Sequence, residues 1–468
     1  MWRTMTVLAV VAVLATGCGG DDGGGAGDAT TTTESTGSST TEAPPSDDTT
    51  TTEPATTTTE PATSTTTTEA PNDDLPDEIE RVDYLTFAQG AIPFGFSIEG
   101  PGEGLKNSVV MQAIDGSTTP RGYVTGATDE TAITMVFELA APTTFDRFAV
   151  PEIGEVPGPS TTFFREIEVA GADDAGGPFE TLASATLATH EGRGEVTELD
   201  LVAERAVRYI QIRLSAGIEI LTEESGFEFS ELIANGTQEP PEFSEGFTGI
   251  WDAKLPDIDR SVGFIELTQS GVVVTGCFGL VDLTGTVTGN LVRLSGIHRD
   301  SLTPSAYIFG LDADGQLQGV ASSNGSPFSF MPSSIAPEGT TTDCSDIPEP
   351  ETPPLACGSV IHGINFDVNS ATLRADSDPV LAQLYEGLVA DDAASIVVEG
   401  HTSTEGSDAY NFDLSDRRAQ SVVDDLVARG IDPGRISAMG FGETEPLISP
   451  DNDEASRSIN RRVEIDCG

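Results

Sequence analysis

The chain has 468 residues, room for two to four domains. It carries 77 acidic residues against 22 Lys and Arg, a formal net charge of -55. That excess excludes nucleic acid, whose phosphates it would repel, and charge-driven adhesion to an anionic membrane surface. A hydrophobic content of 37% is low for a wholly packed chain, so part of it is expected to be unpacked, and the rest suits a solubilised protein outside the cytoplasm.

The N-terminus, "MWRTMTVLAVVAVLATGCGG", has one basic residue, Arg3, then an apolar run from Met5 to Leu14. The run is too short for a stable bilayer anchor and reads as a secretory signal over residues 1–17. Ala15, Thr16 and Gly17 lead into Cys18, and the whole resembles the lipobox of bacterial lipoproteins, with Ala15 where that family prefers Leu. The resemblance implies lipidation of Cys18 and a secreted chain held at the cell envelope by its lipid.

Residues 18–80 are a Thr-, Pro- and acid-rich tract with almost no large apolar side chains, so the sequence predicts a disordered linker. As a flexible coil its roughly 60 residues would reach about 40 Å, more under self-repulsion. No later apolar run is long enough to span a membrane.

Residues 81–240 read as all-β: "AITMVFEL", "TFDRFAVPEI", "FFREIEVAGA" and "AVRYIQIRL" are short apolar or alternating runs between Gly, Pro and Asp clusters. Together with "AIDGSTTPRGYVTG" and "GFEFSELIANG" they loosely resemble a discoidin, galactose-binding-like β-sandwich. The resemblance implies loops at one end that bind sugars or other ligands, where Asp115, Arg121 and Tyr123 stand either as lining or as ordinary turn residues. Residues 243–348 form a smaller all-β unit, a barrel or sandwich, with Gly289-Asn290 and Asp314-Gly315 as hairpin turns and Trp251 in its core. "LDADG" lacks the later ligands of a calcium loop and reads as a turn. A linker, 349–356, follows.

Apart from Cys18 four cysteines remain, and four allow three pairings. One pair per domain, Cys277–Cys344 and Cys357–Cys467, is the expectation outside the cytoplasm, with buried reduced thiols as the alternative.

Residues 357–468 change character. "SVIHGINFDV" and "ASIVVEG" read as strands. "DPVLAQLYEGLVADD" puts Leu381, Leu384, Tyr385 and Leu388 on one helical face. In "DLSDRRAQSVVDDLVARG" the stripe is Ala419, Val422, Val423 and Leu426, with Ser415 as cap and Gly430 past the end. "RISAMGFGE" and "RRVEIDC" complete an α/β two-layer sandwich, so the fold class is multidomain, mostly β, ending in α/β. "INFDVNSATL", "VEGHTSTEGSDAYNFDLSDRRAQSVVDDLVARGI", "ISAMGFGETEPL" and "NRRVEI" are similar, in order and spacing, to the OmpA-like C-terminal domain. That resemblance implies non-covalent binding of peptidoglycan through the diaminopimelate of its stem peptide. Residue by residue it points to Asn369, Asn411, Arg418 and Arg461, with a surface salt bridge to Asp416 as the alternative for Arg418 and a structural role as the alternative for Asn411 and Arg461, and to a departure at Ser403, where the family has an Asp that pairs with the ligand's amine. Either affinity falls, or Glu405 or Asp413 supplies the charge, or the amine is blocked. It also implies that the first and last strands, which carry Cys357 and Cys467, lie close together. A helix N-terminus beside an arginine is suited to a carboxylate. Arg417 is expected to face solvent, and His401 to satisfy backbone groups.

The expected function is thus a lipoprotein that tethers a membrane to the wall and displays β-domains; the alternative is an adhesin whose β-sandwich binds glycans. No cofactor or metal is expected, nor enzyme activity, because His190, His298, His362 and His401 lie far apart with no nucleophile motif or metal spacing beside them.

Overall fold

The computed structural model describes residues 81–468 apart from 117–121, 152–160, 189–194, 218–225, 313, 327, 347–354, 392 and 394. Cys18, Arg121 and His190 lie outside the described residues. Along the strand Ala132–Pro151 buried Ile133, Met135, Phe137 and Leu139 alternate with half-buried residues, as the two-residue repeat of a strand with one covered face demands. This strand pairs antiparallel with Ile92–Glu99, Ala206–Ser215 and Ile233–Gln238 in an eight-stranded sheet. A second sheet has three strands, Gly122–Thr125, Gly226–Phe229 and Thr161–Phe163. Both sheets feed one hydrophobic core, in which Phe137, Phe148, Phe164, Phe227 and Phe229 are almost wholly buried. Each such side chain contributes roughly 1.5–3 kcal/mol relative to exposure.

From Gly249 to Ile335 a nine-stranded sheet closes on itself, since Pro304–Leu311 pairs with both Leu291–His298 and Leu317–Ser323. Closure removes the free edges that an open sheet would leave. Trp251 is buried inside and donates its indole N–H to the Phe247 carbonyl. At the "LDADG" turn the Asp312 carboxylate accepts from the amides of Asp314 and Gln316, a local side-chain cap of the turn. Cys277 and Cys344 are joined, with Cα atoms 5.5 Å apart.

The last sheet has four strands in the spatial order Val360–Ile361, Val463–Cys467, Ile396–His401, Ile436–Gly442, the last two parallel. Helices Asp378–Ala390 and Asp408–Arg429 bury Leu381, Leu384, Leu388, Ala419, Val422, Val423 and Leu426 in the core of this sheet. The long helix rides unusually close to the strands because Gly400 and Gly440 face it: a Cβ on Gly400 would stand 2.3 Å from the Ser415 carbonyl oxygen, and one on Gly440 would stand 2.5 Å from the Asp416 nitrogen. Cys357 and Cys467 are joined, with Cα atoms 5.6 Å apart.

The helix start departs from expectation. Ser407, not Ser415, is the cap: its hydroxyl accepts from the Tyr410 amide, and the helix runs 22 residues from Asp408. Ser415 is buried inside the helix, where its hydroxyl donates to the Phe412 carbonyl and accepts from the Gly442 amide. The reason is the stripe: Asn411 and Leu414 extend the buried face two turns upstream, and that packing outweighs the cap-like look of "DLSD". Arg418 therefore stands about three turns inside the helix, where the terminal dipole does not reach.

The three regions pack as one unit. Ile448, Ala455 and Ile459 near the C-terminus, and Leu291, Ile308 and Phe330 of the closed sheet, join the core of the first region, while Val272 and Val273 join that of the last. Among the described residues no helix is long and apolar enough to cross a membrane.

Candidate functional site

Where the three regions meet they enclose a cleft of about 1020 Å³. Asn369, Ser403, Asn411, Arg418 and Arg461 all line it. Arg418 projects from the long helix over the Phe366 ring, with its guanidinium carbon 5.1 Å from the ring centre, and its Nε–H donates to the Ser370 carbonyl at 3.0 Å. The ring and the carbonyl hold the fork in place. Burial, then repulsion from Arg461, pushes its pKa down to about 10, so it remains a cation at neutral pH. Asp416 does not pair with it, and Asp413 is taken by Arg417 on the outer face at 2.7 Å.

Eight arginines line the cleft. Among the described residues six of them pair with carboxylates: Arg81 with Asp146, Arg147 with Glu198, Arg374 with Asp376, Arg457 and Arg461 with Glu454 and Glu405, and Arg462 with Glu464. Arg418 and Arg293 have no carboxylate at salt-bridge distance among the described residues. Burying a cation without a counter-ion is costly, so the two are the natural receptors for an incoming anion.

Arg461 is not free in the same way. Its guanidinium meets Glu454 and lies 3.8 Å from Glu405. Burial alone would raise the Glu454 carboxyl, but Arg461 and Arg457 overcome it and hold it below its usual range. Ser403 is buried, and its hydroxyl points at Glu405 at 3.5 Å, the long limit of a hydrogen bond. The Thr404 amide and hydroxyl both donate to Asp451, which fixes this loop. Asn411 donates its amide to Glu443, and Asn369 holds a left-handed backbone with φ 52° at the cleft wall.

His401 differs from expectation. It stacks on Phe441 at 5.2 Å, and neither ring nitrogen has a hydrogen-bond partner, so it does not satisfy backbone groups. Burial, helped by Arg462, lowers its pKa to about 4 and keeps it neutral. With Glu399 and Glu464 it forms a cluster of metal-ligating groups, but Arg462 already holds Glu464 at 2.6 Å, and a second cation there would meet that charge.

The opposite wall comes from the first region. Asp83 accepts from the amides of Leu85 and Ala234, both at 3.0 Å, and burial pushes its carboxyl up to about 7. Glu231 is buried with one oxygen unpartnered; burial, with Asp83 and Asp115 adding, raises its pKa well above the ordinary range. The Asp115–Gly116 loop is used by the C-terminal domain: the Glu454 amide donates to the Asp115 carbonyl and Arg457 to that of Gly116. A side chain on Gly116 would collide with Glu454, since its Cβ would stand 2.2 Å from the glutamate's Cβ. Tyr123 lies on the strand beyond, half-buried. Sequence reading missed Phe366, Arg293, Glu454 and Arg457; only Arg293, one arginine inside the apolar run "NLVRLSG", carried a local signal.

The C-terminal segment, with its four-stranded sheet and helix pair, is an OmpA-family domain by sequence. The family model for the "OmpA family" matches residues 365–461. Over 111 residues the chain is 46% identical to "Outer membrane protein A" of Klebsiella pneumoniae, a stretch covering 22% of this chain and 32% of that protein. It is 37% identical over 129 residues to the Bordetella avium protein of the same name, covering 26% and 66%. The chain thus spans 29–42% of the first curated relatives it matches. Among solved structures it resembles the peptidoglycan-associated lipoprotein from Burkholderia pseudomallei, with 25% identity, TM-score 0.23 and coverage of 26% of this chain and 97% of that one. It also resembles the cell wall anchor of the T6SS from Pseudomonas aeruginosa, with 34% identity, TM-score 0.21 and coverage of 23% and 76%.

Proposed function

We propose that the protein is a cell-envelope anchor that binds peptidoglycan non-covalently through its OmpA-family domain, is tied to a membrane by lipid on Cys18, and carries two β-regions on that tether without catalysing a reaction. The observation that carries the reading is Arg418, a firmly held, largely buried guanidinium with no carboxylate at salt-bridge distance among the described residues, in a cleft of a size to take a short peptide. A stem peptide offers free carboxylates that fit its fork. Glu405, beside Ser403 in the cleft lining, supplies the negative charge for the ligand's ammonium, which would share it with Arg457 and Arg461 at 3.5 and 3.8 Å; Asp413 is exposed on the outer face and pairs with Arg417. The first region, read as a galactose-binding-like sandwich, is the displayed domain.

A second reading, glycan binding by that region, is favoured by one surface. Phe94 and Phe96 are 44% and 40% exposed on one strand, with Phe94 set edge-on to Tyr209 at 5.5 Å, so that exposed aromatic rings are available for a sugar to pack on.

The test is sedimentation of the full mature chain with purified sacculi. Co-sedimentation is expected, and a chain that stays in the supernatant refutes the wall reading. Mass spectrometry of the mature N-terminus is expected to find Cys18 as the first residue, carrying acyl chains; an unmodified cysteine or a different start rules out the lipid tether.

A further inference from the structure

Arg293 belongs to the closed middle sheet, outside the stretch matched by the family model, yet it lines the same cleft as Arg418. Only 7% of it is exposed. Among the described residues its one hydrogen bond runs from Nη2 to the Ala88 carbonyl at 2.6 Å. That leaves most of a five-donor fork to be satisfied. The acids that act on it electrostatically are Asp376 and Glu454, and both are already engaged: Asp376 by Arg374 and Asn365, Glu454 by Arg457 and Arg461. Burial, together with Arg461 and Arg374, lowers its pKa to about 10, which leaves it charged at neutral pH. The cleft therefore holds two cations awaiting an anion, one from each of two regions.

We infer that the cleft is a composite site in which Arg293 of the middle sheet binds a second carboxylate of the same peptide ligand whose first carboxylate is held by Arg418. The inference rests on the peptidoglycan reading above and extends it: recognition of the wall peptide needs the β-regions in place, and the OmpA-family domain is only part of the receptor. A polyphosphate or other dense polyanion fits poorly, because the carboxylates of Glu405 and Glu454 line the same cleft as the arginines. A peptide with separated carboxylates and an ammonium matches that mixture of charge.

The experiment is calorimetric titration of the full chain with the synthetic tripeptide L-Ala-γ-D-Glu-meso-diaminopimelate, and with versions amidated at one carboxylate at a time. Wild type should bind the free tripeptide and lose about tenfold on amidation at two different positions, as expected for charge-assisted hydrogen bonds. Arg293→Gln should lose about tenfold on the free tripeptide and lose nothing further on one of those two amides. Arg293→Lys should recover part of the loss. Arg418→Ala should be insensitive to the other amide. The inference is overturned if Arg293→Gln binds the free tripeptide as wild type does, or if it weakens every ligand by the same factor and the lysine variant does not rescue. It is equally overturned, with no variant needed, if only one amidation weakens wild type. Failure of the peptidoglycan reading looks different: wild type then binds no tripeptide, or Arg418→Ala costs nothing.

Discussion

Asp83 offers a pH test of the cleft wall. Its carboxyl sits against the Leu85 and Ala234 amides and near Glu454, and burial moves its pKa from 3.8 to about 7. An acid whose folded pKa is raised holds its proton more tightly in the folded state. Its stabilising contribution is full below the unfolded pKa near 3.8 and is lost as pH rises towards 7. At 1.36 kcal/mol per pH unit over that interval the loss is at most ~4 kcal/mol. Because the carboxylate borders the cleft, where water reaches it, that figure is the upper end. Asp83→Asn removes the titration and keeps an oxygen that can accept from both amides. Relative to wild type, the variant should therefore gain stability between pH 4 and pH 8, by up to ~4 kcal/mol, flattening the pH profile. The assay is urea unfolding followed by circular dichroism at pH 4, 6 and 8. If the stability difference between Asp83→Asn and wild type is the same at pH 4 and pH 8, the buried-acid reasoning is wrong.

Two further predictions concern the scaffold. Gly400→Ala places a methyl 2.3 Å from the Ser415 carbonyl oxygen, so the long helix must move off the sheet; thermal unfolding should show a loss of roughly 1–3 kcal/mol, and unchanged stability would show that the close approach is not needed. Removing the Cys357–Cys467 bridge, which closes a 110-residue separation, should cost up to about 4–5 kcal/mol, checked by chemical unfolding of the Cys357→Ser, Cys467→Ser double variant.

What could be read in the sequence were features with a short-range cause. The stripe from Ala419 to Leu426 follows from a 3.6-residue repeat, and the turn at Gly289-Asn290 from two residues that tolerate tight backbone. The start of the long helix is ambiguous in the sequence because Ser407 and Ser415 are both locally suited to cap it, and only the burial of Asn411 and Leu414 separates them. The cleft's residues within the C-terminal domain were legible through motif resemblance. Its other walls were not. Asp83, Glu231 and Arg293 lie far away in sequence, and nothing in their neighbourhoods records that the chain folds them against Arg418 and Glu454. The stacking of His401 on Phe441, with neither ring nitrogen hydrogen-bonded, goes with a register shift between Gly400 and His401 that no local pattern announces.

The most direct test of the central claim compares two adjacent arginines. Arg418 lines the cleft with no carboxylate partner among the described residues, while Arg417 faces outward and pairs with Asp413. In sedimentation with sacculi, Arg418→Ala should lose on the order of 2–3 kcal/mol of binding, the value of a desolvated charged hydrogen bond, whereas Arg417→Ala should bind like wild type. Equal binding by Arg418→Ala and wild type, with folding verified by circular dichroism, would contradict the account.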